Sequence, residues 1–141
     1  MSFPASWRAR ARARDLGFEL SCEDEVGALL AALAAAVPVG SRVVELGTGA
    51  GVGLAGLAPV ALVFADAEGG KIHGLDCTVR RARPRWMLVV DDMDVSRHDG
   101  DGLAGAIGAV RDSLVAHPAL AVAELRFASG VMVATRRRTS V

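Results

Sequence analysis

At 141 residues, 52% of them hydrophobic and 23% charged, the chain is sized for one folded domain and is too apolar for disorder. Sixteen basic side chains balance sixteen acidic ones, so charge gives no reason to expect nucleic acid or an anionic membrane as partner. Two cysteines, Cys22 and Cys77, exclude a disulfide framework or a four-cysteine zinc site and point to a reduced, cytoplasmic protein, and no apolar run reaches the ~20 residues of a membrane helix.

Residues 1–20 form a basic lead-in in which Arg8, Arg10, Arg12 and Arg14 alternate with alanine. A period of two scatters charge around a helix, so this segment reads as a solvated N-terminal helix held by Trp7, Leu16 and Phe18. Ser21 is expected to cap the first clear helix, with Asp24 three residues on, and Val26, Leu29, Leu30, Leu33 and Val37 make its apolar stripe. Pro38 and Gly40 stop it. Arg42–Leu46 then reads as a strand that breaks into Gly47, Gly49, Gly51 and Gly53, followed by a short helix over Ala50–Ala58 ended by Pro59. Glycines at such a turn permit positive φ and the close approach of a ligand.

Val60–Ala65 is a continuous apolar run, as a strand buried on both faces should be. Gly69 and Gly70 loop out to a helix over Leu75–Ala82, and Trp86–Val90 is another buried strand. A polar turn, Asp94–Asp101, precedes a helix over Leu103–Ala116, with His117 at its end. Two strands finish the chain, Leu120–Phe127 and Val131–Thr135, with Ser129-Gly130 as a tight turn between them. Arg136–Val141 reads as a frayed tail. The alternation predicts an α/β fold, a shortened Rossmann-like sheet of about five strands, mostly parallel, the last antiparallel, with helices on both faces.

Three stretches carry a family resemblance. Glu45-Leu46-Gly47-Thr48-Gly49-Ala50-Gly51, an acid two residues before the first of three alternating glycines, resembles motif I of class I S-adenosylmethionine-dependent methyltransferases. Phe64-Ala65-Asp66-Ala67-Glu68 looks like the fourth-strand motif of the small, catechol-type O-methyltransferases. Leu88-Val89-Val90-Asp91-Asp92 looks like their fifth strand and its acidic end. The resemblance covers residues 21–137 and implies S-adenosylmethionine as cofactor. Glu45, Gly47, Thr48, Gly49, Gly51 and Asp66 would then contact it, and the 1–20 segment would act as a lid. A nicotinamide site fits less well, because dinucleotide enzymes more often show Gly-x-Gly-x-x-Gly and an acid ending the second strand.

One part of the family pattern is absent. Pro59 leads directly into the strand that ends at Asp66, so two βα units, roughly 50–60 residues, are missing together with the acid that grips the ribose. Strand one should then pair with its new neighbour and become an open edge, which invites a homo-oligomer. Right-handed crossover places the Ala50–Ala58 helix on the face opposite its usual one.

Asp66, Asp91 and Asp92 end neighbouring strands, where open α/β sheets place their sites. Three carboxylates suit Mg²⁺ or another divalent cation, and the resemblance implies a metal there, with Asp92 replacing an asparagine. Solvated strand ends or helix caps remain the alternative. Lys71 and His73 follow Asp66 where a general base could lie. His98 and His117 read as surface and helix-end residues. Glu45, an acid in a buried strand, needs a partner; the resemblance implies that it faces the cofactor's amino end, and the alternative is a pair with Arg42 or Arg80. The function implied is O-methylation of a small molecule's hydroxyl; the alternative is an inactive, truncated module for oligomerisation or binding.

Overall fold

A computed structural model describes Arg14, Asp15, Gly17 and residues 23–46, 60–81 and 86–138. The glycine turn Gly47–Gly53, the helix expected over Ala50–Ala58 and nearly all of the lead-in lie outside these residues, as does Ser21. In chain order they hold α1 (Asp24–Ala36), β1 (Arg42–Leu46), β2 (Val60–Ala65), α2 (Glu68–Lys71), α3 (Leu75–Arg81), β3 (Met87–Val90), a 3₁₀ turn (Val95–His98), α4 (Ala104–Ala116), β4 (Leu120–Leu125) and β5 (Val131–Arg136). Two of these elements are additions to the sequence reading, α2 in the expected Gly69-Gly70 loop and the 3₁₀ turn within the polar stretch. None of the described helices is long and apolar enough to cross a membrane.

The strands form one sheet in the order β1-β2-β3-β5-β4. β1 pairs with β2 and β2 with β3 in parallel, while β5 runs against both β3 and β4. Four strands therefore point one way and the last alone opposes them. The sheet is less parallel than expected when counted by pairing, because β5 inserts between β3 and β4 and makes two of the four pairings antiparallel. The direct β1–β2 pairing is the one required if two intervening units are missing, and it leaves β1 outermost.

The period of two sorts the strand residues onto two faces. Leu62, Phe64, Val89 and Val131 meet α1, whose Val26 is wholly buried and whose Leu29, Leu30 and Leu33 pack beside it. Full burial of one such side chain contributes about 1.5–3 kcal/mol. Val63, Ala65, Leu88, Val90, Met132 and Ala134 face the other way, onto Leu75 and Val79 of α3 and Ile107, Val110 and Leu114 of α4. Helices on both faces match the expectation. α1 starts later than expected, with Glu23 at its N-cap making no side-chain cap bond.

Two glycines fix the carboxyl end of the sheet. A Cβ on Gly70 would stand 2.6 Å from Leu46 Cβ, so α2 can lie on the end of β1 only with glycine there. The β4–β5 connection is the five residues Arg126–Gly130, longer than a two-residue Ser129-Gly130 turn. Gly130 has φ +79°, and a Cβ there would lie 2.5 Å from the Asp94 nitrogen. Gly130→Ala combines left-handed strain with a backbone clash and is expected to cost about 2–3 kcal/mol. The denaturant midpoint measures it; a loss within 0.5 kcal/mol, the range usual for a surface substitution, would show that the loop shifts freely.

Candidate active site

Backbone hydrogen bonds draw the carboxyl ends of β1, β2 and β3 together. Asp66 and Ala67 both donate their N–H to Leu46 O (3.4 and 3.2 Å), and Asp91 donates its N–H to Ala65 O at 3.1 Å. Asp66, Asp91 and Asp92 are thereby collected at one sheet edge.

The three acids differ sharply in environment. Asp91 is 2% exposed; its carboxylate accepts from Ser129 Oγ and, at 2.8 Å, from the Asp92 N–H. Burial pushes its pKa up, against the opposing pull of those two donors. Asp92 stands at φ +53°, in the left-handed region that aspartate and asparagine tolerate better than most residues. Asp66 is half-buried and its pKa rises from the ordinary 3.8 to about 6. Burial is the largest cause, then repulsion from Asp91 and Asp92, and a hydrogen bond between the Asp66 and Asp92 side chains adds to it.

Lys71, 4% exposed, closes the cluster from α2 by donating from Nζ to the Asp91 carbonyl at 3.0 Å. It offsets part of the Asp66 and Asp91 shifts. His73 lies just beyond, exposed, its backbone N–H bonded to Glu68 O at 2.8 Å.

Other expected residues fall differently. Glu45 is exposed rather than buried, and among the described residues it has no ion pair with Arg42 or Arg80. The cause is position: β1 is outermost, and only its Val44 and Leu46 face reaches a core. Gly47, Thr48, Gly49 and Gly51 lie outside the described residues.

The three-carboxylate metal centre does not assemble. Among the described residues no three His, Cys, Asp or Glu side chains are placed to hold a metal ion. The reason is that Asp91 turns its carboxylate inward, onto Ser129 and the Asp92 amide.

Two participants escaped the sequence reading. Ser129, by sequence a turn residue, fixes Asp91 across 38 positions of chain. His98, by sequence a surface residue, has a side chain only 12% exposed. Its Nδ1 lies 2.8 Å from Asp101 Oδ2 and its Nε2 3.0 Å from the Asp92 carbonyl. Both ring nitrogens face acceptors, so both must donate, which is the protonated form. Its pKa is accordingly raised, chiefly by the bond to Asp101. The i, i+3 spacing of His98 and Asp101 in a polar turn was the available signal. His117, at the C-cap of α4, accepts at Nδ1 from the Ala119 N–H (3.2 Å), a helix-end role as expected.

No family model and no curated protein matches the chain. Solved structures do. The O-methyltransferase TomG of Streptomyces achromogenes, from tomaymycin synthesis and solved with S-adenosylmethionine, aligns over 96% of this chain and 91% of its own at TM-score 0.73 and 16% identity. A structural-genomics protein from Corynebacterium glutamicum aligns over 99% and 92% at TM-score 0.70 and 18% identity. The S-adenosylhomocysteine-bound methyltransferase PaMTH1 of Podospora anserina aligns over 84% of this chain and 59% of its own at TM-score 0.55 and 16% identity. Likeness at this identity speaks for the fold. With its one reversed strand next to the edge and its acids gathered at the carboxyl ends of the parallel ones, this chain has the class I methyltransferase fold.

Proposed function

We propose that the chain is an S-adenosylmethionine-dependent O-methyltransferase acting on a hydroxyl of a small molecule. The observation that carries this reading is the under-neutralised acid edge. Asp66 and Asp91 share one buried lysine, and among the described residues Glu45, near the end of the adjoining strand, has no ion pair. An electronegative edge suits a ligand bearing an ammonium and a sulfonium, and TomG, of the same fold, was solved with that ligand. When bound, the cofactor supplies a methyl group on a positively charged sulfur that departs as a neutral thioether.

The chain's own residues supply proton handling. Asp66, half-buried with its pKa at about 6, is the group best matched to take up the acceptor's hydroxyl proton near neutral pH. Lys71 has its Nζ committed to the Asp91 carbonyl, so in this reading it positions the acids and holds local charge. His73, exposed two residues further on, would pass the proton to solvent. Glu45 would hold the amino end of the cofactor, and Gly47, Thr48, Gly49 and Gly51 its backbone-facing part. No step is assigned to a divalent cation, because Asp91 is spent inside the protein.

Titration with S-adenosylhomocysteine tests the reading. Saturable heat with micromolar affinity, weakened at least tenfold by Glu45→Ala, is expected. No heat at millimolar ligand would leave the fold without this function. A second reading, a non-catalytic module that pairs through β1, has one observation in its favour: β1 is outermost and its Val43 is 52% exposed. That reading expects a dimer by light scattering together with a blank titration.

A further inference from the structure

A cavity of about 500 Å³ lies under the β4–β5 connection, bounded by Met93–Val95 on one side and by Arg111 of α4 on another. Its volume falls within the range of small-molecule sites. None of Glu45, Asp66, Lys71 or Asp91 lines it. It is therefore distinct from the acid edge, although the same five-residue connection serves both through Ser129.

About half of its wall is polar, and the apolar half comes from Met93, Leu125, Phe127, Val131 and Met132 among others. Met93 and Met132 are buried, and the half-buried Phe127 is the side chain that offers an aromatic face to a flat ring. Four charged residues complete the lining, and three of them are spent. Arg111 grips Glu124 with two bonds, Nε to Oε2 at 2.7 Å and Nη2 to Oε1 at 3.0 Å. Asp94 caps the 3₁₀ turn, accepting from the Ser96 N–H at 3.1 Å and from Ser96 Oγ at 2.7 Å. Arg126 alone has no hydrogen bond or ion pair among the described residues, and it is exposed. The formal charges of the lining balance, with Asp94 and Glu124 against Arg111 and Arg126, and Arg126 is the one cation of the four with no partner among the described residues, a guanidinium whose planar fork matches a carboxylate.

We propose that this cavity is a second ligand site, for a small aromatic carboxylate, with Arg126 holding the carboxylate and Phe127 lying against the ring. The proposal stands whether or not the acid edge binds a cofactor. Any ligand seated there would press on the connection that carries Ser129, and so on Asp91.

Calorimetric titration of the full chain with 2-naphthoate tests it. Saturable binding below about 1 mM is expected, weakened tenfold or more by Arg126→Ala and by Phe127→Ala, each checked for an unchanged melting temperature. The neutral isostere 2-naphthylmethanol should bind about tenfold more weakly, and Asp66→Asn should leave 2-naphthoate binding unchanged. An absence of saturable heat would overturn the proposal. So would an affinity that Arg126→Ala does not move, an equal affinity for the neutral isostere, or a loss on Asp66→Asn, which would put the ligand at the acid edge.

Discussion

Asp66→Asn is expected to make the protein more stable at pH 7.5 while cutting methyl transfer at least ~10²-fold. The two effects have one cause. In the folded chain Asp66 takes up its proton at about 6, against 3.8 ordinarily, because burial and the carboxylates of Asp91 and Asp92 oppose its charge. Between those two pH values the folded state holds a proton that the unfolded chain has released. Stability therefore falls as pH rises through that window, and above it the full cost of the forced charge is carried. Asparagine has no charge to force and keeps a donor for the Asp92 side chain. After allowance for solvent screening of a half-exposed group, the gain is about 1–2 kcal/mol at pH 7.5, or roughly 4–8 °C in Tm, and close to nothing at pH 4. Thermal melts of both proteins from pH 4 to 8 measure it. A gain of the same size at pH 4 would mean that packing, and not ionisation, separates the two residues. Full activity in Asp66→Asn would remove Asp66 as the proton acceptor.

How far the sequence spoke for itself divides along a physical line. Strand residues were legible because alternation and continuous apolar runs are local: Val60–Ala65 agrees with the observed β2 to the residue, and Trp86–Val90 with β3 to within one. The stripe on α1 was legible for the same reason. Glu45 escapes a local reading because burial of a strand depends on its neighbours, and among the described residues β1 has one only on the side of β2. The metal expectation treated three aspartates at neighbouring strand ends as equivalent. Which way each carboxylate turns is decided by a partner far along the chain, Ser129, and no local pattern announces a contact of that span. His98 was overlooked because its second acceptor is a backbone carbonyl, that of Asp92, presented only once the residue there adopts a left-handed turn. The conversion of Gly70 from a loop residue into a packing device likewise required Leu46 to be placed beside it.

Lys71→Met should destabilise the fold by about 2–3 kcal/mol at pH 7.5, somewhat below the range seen when one partner of a fully buried ion pair is removed, because Asp66 is only half-buried. Lys71 is the cation beside Asp66 and Asp91, and its charge lowers the pKa of both. Methionine fills a similar volume, so the loss isolates charge and the one bond to the Asp91 carbonyl rather than creating a cavity. Without the ammonium, Asp66 climbs above its present value of about 6, and the pH window over which stability is lost extends upward. The deficit should therefore shrink steadily as the acids are protonated on acidification to pH 5. There the wild-type lysine has fewer negative partners to justify its own burial. Urea denaturation of both proteins at pH 5 and 7.5 separates the contributions. An equal loss at the two pH values would assign the effect of Lys71 to its bond with the Asp91 carbonyl and not to charge, and the view of the acid edge as a charge-frustrated site balanced by one buried lysine would fail with it.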